Sequence, residues 1–235
     1  MKPIITVDIE TYSPQDIAKV GAYRYAQDPD FQILLLGYAN ENSDTPRVLD
    51  LTSWPDTKHF LREQLPWLLD ASYTKRAHNA AFEWWCLSEA MGLSWEQRVL
   101  WLQQWECSMI HALYCGLPAQ LGALGAALKQ PEDALKEGKA LIAYFCKPCK
   151  PTKRNGGRTR NLPQHDPDKW QLFCKYNGMD VIAERANDRK LAPWPVPEEI
   201  MQQWREDVEM NARGVAVDME LVEGALACSA LITEE

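Results

Sequence analysis

Apolar and β-branched positions crowd the start of the chain. The segment KPIITVDIETYS sets Ile4, Ile5, Thr6, Val7 and Ile9 in a run that reads as a buried strand ending near Thr11. Successive side chains of a strand alternate between its faces, so Asp8 and Glu10 share one face. FQILLLGYAN is a second strongly apolar run and RVLDL a short third one. The polar, turn-like stretch ENSDTP between them predicts an antiparallel set beside the first strand. From Thr57 to Asp70, Phe60, Leu61, Leu65, Leu68 and Leu69 fall near the helical period, with Pro66 as a kink. A strand-like TKRAHN then leads into AAFEWWCLSEAMG, a helix that ends at Gly92 and carries Glu83 in its first turn. Further helices are predicted over Ser108 to Cys115, Gln120 to Leu128, Lys136 to Phe145 and Pro167 to Leu191. Early strands followed by late helices predict an α/β fold, a mixed sheet flanked by helices.

Two breaks interrupt this pattern. KPCKPTKRNGGRTRNLPQ holds six basic residues, three prolines, two adjacent glycines and no acid, which predicts a mobile loop. LAPWPVPEE spaces Pro193, Pro195 and Pro197 so that the long helix must end before another helical pattern begins. A domain edge is therefore placed there, with residues 1–192 as the main domain and 193–235 as a helical extension.

Composition narrows the classes. With 235 residues, 46% apolar and 25% charged, the chain suits one α/β domain with a core and a short appendage. No apolar run approaches the ~20 residues of a membrane-spanning helix, and the N-terminus does not read as a signal peptide; an intracellular place is expected. Seven cysteines, mostly in apolar segments, read as reduced core residues. The net charge of −8 argues against broad gripping of duplex DNA, which rests on Lys and Arg, and fits carboxylates gathered around cations.

Asp8 and Glu10, side by side in an apolar strand, are costly to bury without a compensating cation. Hard divalent ions prefer carboxylate oxygens, so a strand pair joined by acids from neighbouring helices makes a suitable two-metal site. Tyr176 lies four residues before Asp180 and shares a helix face with it. Read in order, VDIET (Asp8, Glu10), HNAAFE (Asn79, Phe82, Glu83) and YNGMD (Tyr176, Asp180) resemble the three motifs of the DEDD, DnaQ-like 3′→5′ exonucleases, in their tyrosine subclass. Glu83 stands where aspartate is usual in that superfamily, one methylene longer.

The resemblance implies an RNase H-like sheet and two divalent cations, Mg²⁺ or Mn²⁺, held by Asp8, Glu10, Glu83 and Asp180. It further implies two-metal phosphodiester hydrolysis with Asp8 bridging the ions, Glu10 and Asp180 on the nucleophile side, Glu83 supporting the second ion, and Tyr176 orienting or deprotonating the attacking water. Thr11, Asn79 and Phe82 are implied to meet substrate. DIETYSP, GAYRYAQDPDF, AHNAAFE, GLPAQLGALGAAL, KEGKALIAYFCKP and KWQLFCKYNGMDV are most similar to the N-terminal proofreading domain of phage-type family A DNA polymerases. WREDVEMNARGVAVDMELVEGA resembles the stretch that joins such a domain to its polymerase. The implied substrate is the 3′ end of single-stranded or mispaired DNA, in the cytoplasm of a bacterial or phage-infected cell, with a polymerase domain or subunit as partner. The chain then reads as a piece of a longer or split polymerase, or as a stand-alone nuclease derived from one. Two rivals stay open: an RNA-trimming exonuclease of the RNase D type, and a non-catalytic nucleic-acid-binding domain that keeps the fold.

Secondary signals are weighed beside this. In the basic loop, Lys153, Arg154, Arg158 and Arg160 either meet the phosphates of single-stranded DNA or lie solvated. Cys146 and Cys149 form a C-x-x-C with only His165 and Cys174 near enough in sequence to complete a zinc site. Of the ten tryptophans, Trp84 and Trp85 flank Glu83, yet core packing is their simpler reading, and Phe82 alone is taken as a pocket residue. His78, at a strand end, is expected to bond backbone and takes no catalytic role.

Overall fold

The computed structural model describes residues 2–41, 43, 45–130 and 138–233. Five strands form one mixed sheet in the order β3-β2-β1-β4-β5. These are β1 (Ile4–Tyr12), β2 (Gln32–Asn40), β3 (Arg47–Asp50), β4 (Thr74–Ala77) and β5 (Trp105–Cys107). The pairs β1–β2 and β2–β3 are antiparallel, as the turn-linked apolar runs predict, while β1–β4 and β4–β5 are parallel. Leu35 pairs with Glu10 and Ile33 with Thr11, so the β1–β2 register slips at this point. Bulges of this kind re-aim side chains beside functional sites.

The two faces of β1 divide the molecule. Ile5, Val7 and Ile9 pack with Trp84, Trp85 and Leu87 of α3 (Ala81–Met91) and with Leu61 of α2 (Thr57–Glu63). Tyr12, on the opposite face with Asp8 and Glu10, packs with Phe145 of α7 (Gly138–Phe145) and with Trp170 and Phe173 of α8 (Pro167–Leu191). The 25-residue α8 lies across β1, β2 and β3. Gly37 on β2 makes this approach possible, since a Cβ there would overlap Asn177 Oδ1 and sit 3.1 Å from Val181 Cγ2.

The remaining helices are α1 (Ile17–Ala26), α4 (Trp95–Leu102), α5 (Ser108–Tyr114), α6 (Leu121–Ala127), α9 (Glu198–Arg213) and α10 (Met219–Thr233). Met201, Trp204 and Val208 of α9 enter the same core as α3, and Arg205 Nε donates to the Trp105 carbonyl at 3.2 Å. No residue of α10 is buried, and Leu221, Leu226, Leu231 and Ile232 are all exposed. No helix among the described residues is long and apolar enough to cross a membrane.

Several expectations shift. The helix over Thr57 to Asp70 stops at Glu63; Pro66, unable to donate, opens a separate 3₁₀ turn, Pro66–Leu68. Of the helix predicted from Lys136, the described part begins at Gly138; Lys136, like Asn42 and Asp44 of the predicted turn, lies outside the described residues. The basic stretch, predicted as a mobile loop, is instead a folded one. Cys149 N donates to the Thr159 carbonyl at 2.7 Å, Thr152 and Asn155 cap one another, and Asn161 Nδ2 donates to the Tyr144 carbonyl at 2.9 Å. Local side-chain-to-backbone bonds of this sort fold a loop with little core of its own.

Candidate metal centre and nucleic-acid site

The site gathers where β1 meets α8. Strand alternation points Asp8 and Glu10 at the helix, and the four-residue spacing of Tyr176 and Asp180 turns both toward the strand. One carboxylate oxygen each from Asp8, Glu10 and Asp180 lie within 4.8 Å of one another. Asn177 Nδ2 donates to Asp8 Oδ2 at 2.5 Å and reaches the Asp8 carbonyl at 3.3 Å, fixing that carboxylate from below. The Cys146 thiol donates to Glu10 Oε2 across 3.7 Å.

Electrostatically the cluster is overloaded with negative charge. Burial, then the charge of Asp180, raises Asp8 well above the usual carboxylate range. Burial, then Asp8 and Asp180, does the same to Glu10. Asp180 is pushed up to about 6 by burial, against the opposing hydrogen bond from Tyr176. Burial first and the nearby Asp180 second lift the Tyr176 phenol far above its ordinary pKa. Glu83 stands outside the three-acid group, on the first turn of α3, almost fully buried, with Oε2 lacking any partner. Burial and the charge of Asp8 raise it as well. Four acids held this way, one with an orphaned oxygen, make an all-oxygen donor set of the kind hard divalent cations take.

Beside the acids lies a cavity of about 380 Å³, lined among others by Glu10, Thr11, Tyr25, Phe82, Ile142 and Cys146. Thr11 Oγ1 and the Tyr25 hydroxyl are hydrogen-bonded at 3.0 Å. Phe82 and Tyr25 meet with ring centroids 6.3 Å apart, so the wall is largely aromatic and aliphatic. Asn79 does not line this cavity; it is exposed and takes φ 68°, the left-handed turn between β4 and α3 that asparagine tolerates.

The basic loop joins the cavity only at its root, through Lys147 and Pro148. Lys153 and Arg154 are exposed. Arg158 turns inward, its Nε donating to Asn161 Oδ1 at 2.8 Å. The Arg160 guanidinium sits 3.7 Å over the Tyr12 ring and donates to Gln32 Oε1 at 2.7 Å. Cys146 and Cys149 belong to no group of three or more metal-ligating side chains among the described residues; Cys149 bonds within the loop. Trp84 and Trp85 are core, their indoles donating to the Arg98 and Tyr23 carbonyls. His78 Nε2 donates to the Ala119 carbonyl at 2.6 Å, the backbone bond expected of it.

Sequence reasoning overlooked Asn177 and weighed Cys146 only as a zinc ligand. Asn177 adjoins Tyr176 within the third motif, where a polar residue on an inward helix face was a usable signal. Nothing local ties Cys146 to Glu10, its partner 136 positions away.

No protein-family model matches the chain. It is 42% identical over 224 residues to a DNA polymerase of Bacillus phage SP02, covering 95% of this chain and 33% of that protein. Among solved structures, Escherichia coli RNase D, an exoribonuclease involved in structured RNA processing, superposes with a TM-score of 0.53 at 16% identity, over 92% of this chain and 46% of that one. Trypanosoma brucei RNase D in complex with GMP gives 0.53 at 18% identity, over 92% and 60%. The chain thus spans a third of the phage polymerase it matches and about half of the RNase D chains. It is a relative of a phage DNA polymerase, and its fold is that of the DEDD, DnaQ-like exonucleases.

Proposed function

We propose that the chain is a divalent-metal-dependent 3′→5′ exonuclease acting on the 3′ ends of single-stranded or mispaired DNA, the proofreading part of a phage-type polymerase. The observation that carries this reading is the meeting of Asp8, Glu10 and Asp180 within 4.8 Å beside a cavity with an aromatic wall. The 42% identity to a phage DNA polymerase favours DNA over RNA. Residues 1–192 carry the nuclease site on this reading, and 193–235, of which α9 packs into the same core, lead toward a polymerase domain or subunit.

Asp8, Glu10, Asp180 and Glu83 would hold two ions, Mg²⁺ or Mn²⁺. When bound, such ions supply charge neutralisation and Lewis acidity at the scissile phosphate. The chain's own residues do the rest. Phe82 and Tyr25 offer flat faces for the terminal base, and Thr11 a hydroxyl and backbone beside the sugar. Asn79 shapes the turn behind them, and exposed Lys153 and Arg154 attract the incoming strand, with Arg158 stiffening their loop. Tyr176, beside Asp180, would orient or deprotonate the attacking water; burial and the charge of Asp180 raise its phenol far above the ordinary value, so deprotonation would need the charge of the bound ions. Water adds at phosphorus, the bond to the 3′ oxygen breaks, and a nucleoside 5′-monophosphate leaves.

The test is digestion of 5′-labelled DNA and RNA single strands in Mg²⁺, Mn²⁺ or EDTA. Shortening of DNA from its 3′ end, absent with EDTA and in an Asp8→Ala, Glu10→Ala double variant, is expected. Preferred digestion of RNA would instead favour the reading suggested by the RNase D fold. Binding without digestion under all conditions would leave only a binding domain.

One variant probes Tyr176 without touching it. A Cβ at Gly138 would lie 2.7 Å from Tyr176 Cδ2 and Cζ, and closer to Cε2. Gly138→Ala therefore crowds the Tyr176 ring, and the single-turnover rate should fall about 10²-fold while DNA affinity holds. An unchanged rate in both Gly138→Ala and Tyr176→Phe would remove Tyr176 from the mechanism.

A further inference from the structure

Glu10 and Tyr176 reach the centre from different elements, yet both rest on α7. At one end of this helix Gly138 lies so close to the Tyr176 ring that a Cβ there would overlap it. Just past the other end, Cys146 closes the last helical turn, its N–H donating to the Ile142 carbonyl at 2.9 Å. Its side chain is 7% exposed, belongs to the core of Tyr12, Phe145 and Phe173, and reaches the wall of the cavity beside the acids. The loop that follows is fastened back onto α7 by Asn161 Nδ2 on the Tyr144 carbonyl. Helix, core and loop together set the place of Cys146.

From this place Cys146 faces Glu10. Sγ lies 3.7 Å from Oε2, a separation that suits sulfur as a donor, although it would be too long for nitrogen or oxygen. Among the described residues no other side chain donates to this carboxylate, whereas Asp8 is held by Asn177. Glu10 needs such a hold more than Asp8 does, since its side chain is one methylene longer and it stands where the β1–β2 register slips. The chemistry of the donor matters as well. A lysine or arginine here would neutralise the charge that a cation requires. A thiol is a weak, uncharged donor, so it orients the carboxylate and leaves its charge and remaining lone pairs to an ion.

We propose that Cys146 is a positioning residue of the metal centre, which holds Glu10 in its ligating orientation through a thiol hydrogen bond to Oε2. This role takes Glu10 as a metal ligand and so rests on the two-ion reading above.

The test compares wild type with Cys146→Ala, which removes the donor, and Cys146→Val, which removes the donor and still fills the space. Mn²⁺ affinity by titration calorimetry should fall about tenfold in both, the loss expected when a partner that orients a ligand is taken away. The infrared S–H stretch supplies a readout that space filling would not move. The difference between metal-free wild type and Cys146→Ala should contain a thiol band displaced to lower frequency by the carboxylate. Saturating Mg²⁺ should move that band back toward the position of a free thiol as the ion draws on the charge of Glu10. Full Mn²⁺ affinity in Cys146→Val, or a thiol band that ignores Mg²⁺, would overturn the proposal. Loss of the band on loading with Mg²⁺ would overturn it too, by making Cys146 a ligand in its own right. Neither readout needs substrate, so a wild type that binds Mn²⁺ but digests nothing would defeat the exonuclease reading and leave this one standing, whereas a wild type that binds no Mn²⁺ would end both.

Discussion

Asp8→Asn should abolish exonuclease activity, by about 10³-fold or more, and at the same time make the metal-free protein more stable. The first effect follows from the place of Asp8 in the cluster: its charge acts on Glu10 and Glu83, and its oxygen lies within 4.8 Å of both Glu10 and Asp180. About 4 kcal/mol of transition-state stabilisation, the size expected for a group central to metal and phosphate binding, corresponds to that factor. The second effect follows from what asparagine keeps. Its side-chain oxygen still accepts from Asn177 Nδ2, so the native hydrogen bond survives, while a buried charge facing other buried charges is gone. Activity assays should therefore be paired with thermal unfolding in EDTA. Loss of activity with a lower melting temperature would mean that Asp8 acts through folding and not through the ions.

The second large effect is a metal-linked stability that grows with pH. Asp180 has an ordinary carboxyl value of 3.8 when unfolded and about 6 when folded. Between those values the folded chain still binds a proton that the unfolded chain has shed, so stability falls as pH rises through this window and the penalty is complete above about 6. Asp8, Glu10 and Glu83 are raised in the same direction and extend the fall to higher pH. Cations bind the ionised acids, so Mg²⁺ or Mn²⁺ should add little at pH 5 and most at pH 8. At a hundredfold excess over Kd the gain is about 2.7 kcal/mol, or about 5–10 °C in melting temperature for a chain of this size. Scanning calorimetry across pH with and without Mn²⁺ measures it. A melting temperature at pH 8 that ignores the ion would show that these carboxylates hold none.

Much of the fold and of the centre is legible in the amino-acid sequence, for reasons that differ by element. The strand β1, the helix α3 and the whole of α8 announce themselves through long apolar patterns and clear ends, and α8 runs over the predicted residues. Three elements escape. In α1 the pattern is broken by Gly21 at φ 75°, and β5 has only three residues, too short to show alternation. For α4 a signal exists, the S-x-x-Q capping box of Ser94 and Gln97, but the apolar pattern beside it is weak. Among the site residues, Asp8, Glu10, Tyr176 and Asp180 sit in local motifs whose spacing fixes their faces. Arg158 reads as a phosphate ligand in composition alone, yet its guanidinium is engaged by Asn161 and Asn155, a matter of loop geometry that composition does not carry.

The hydrogen bond between Asn177 and Asp8 joins positions 169 apart in the chain. Bringing such distant segments together costs loop entropy before any contact repays it, and pairings of this range make folding slow. The centre is consequently absent from any fragment that ends before α8, and during refolding it exists only after the first strand and the long helix have met. A divalent ion added to the refolding chain finds no partial site to hold early, so its capture marks the completion of the fold.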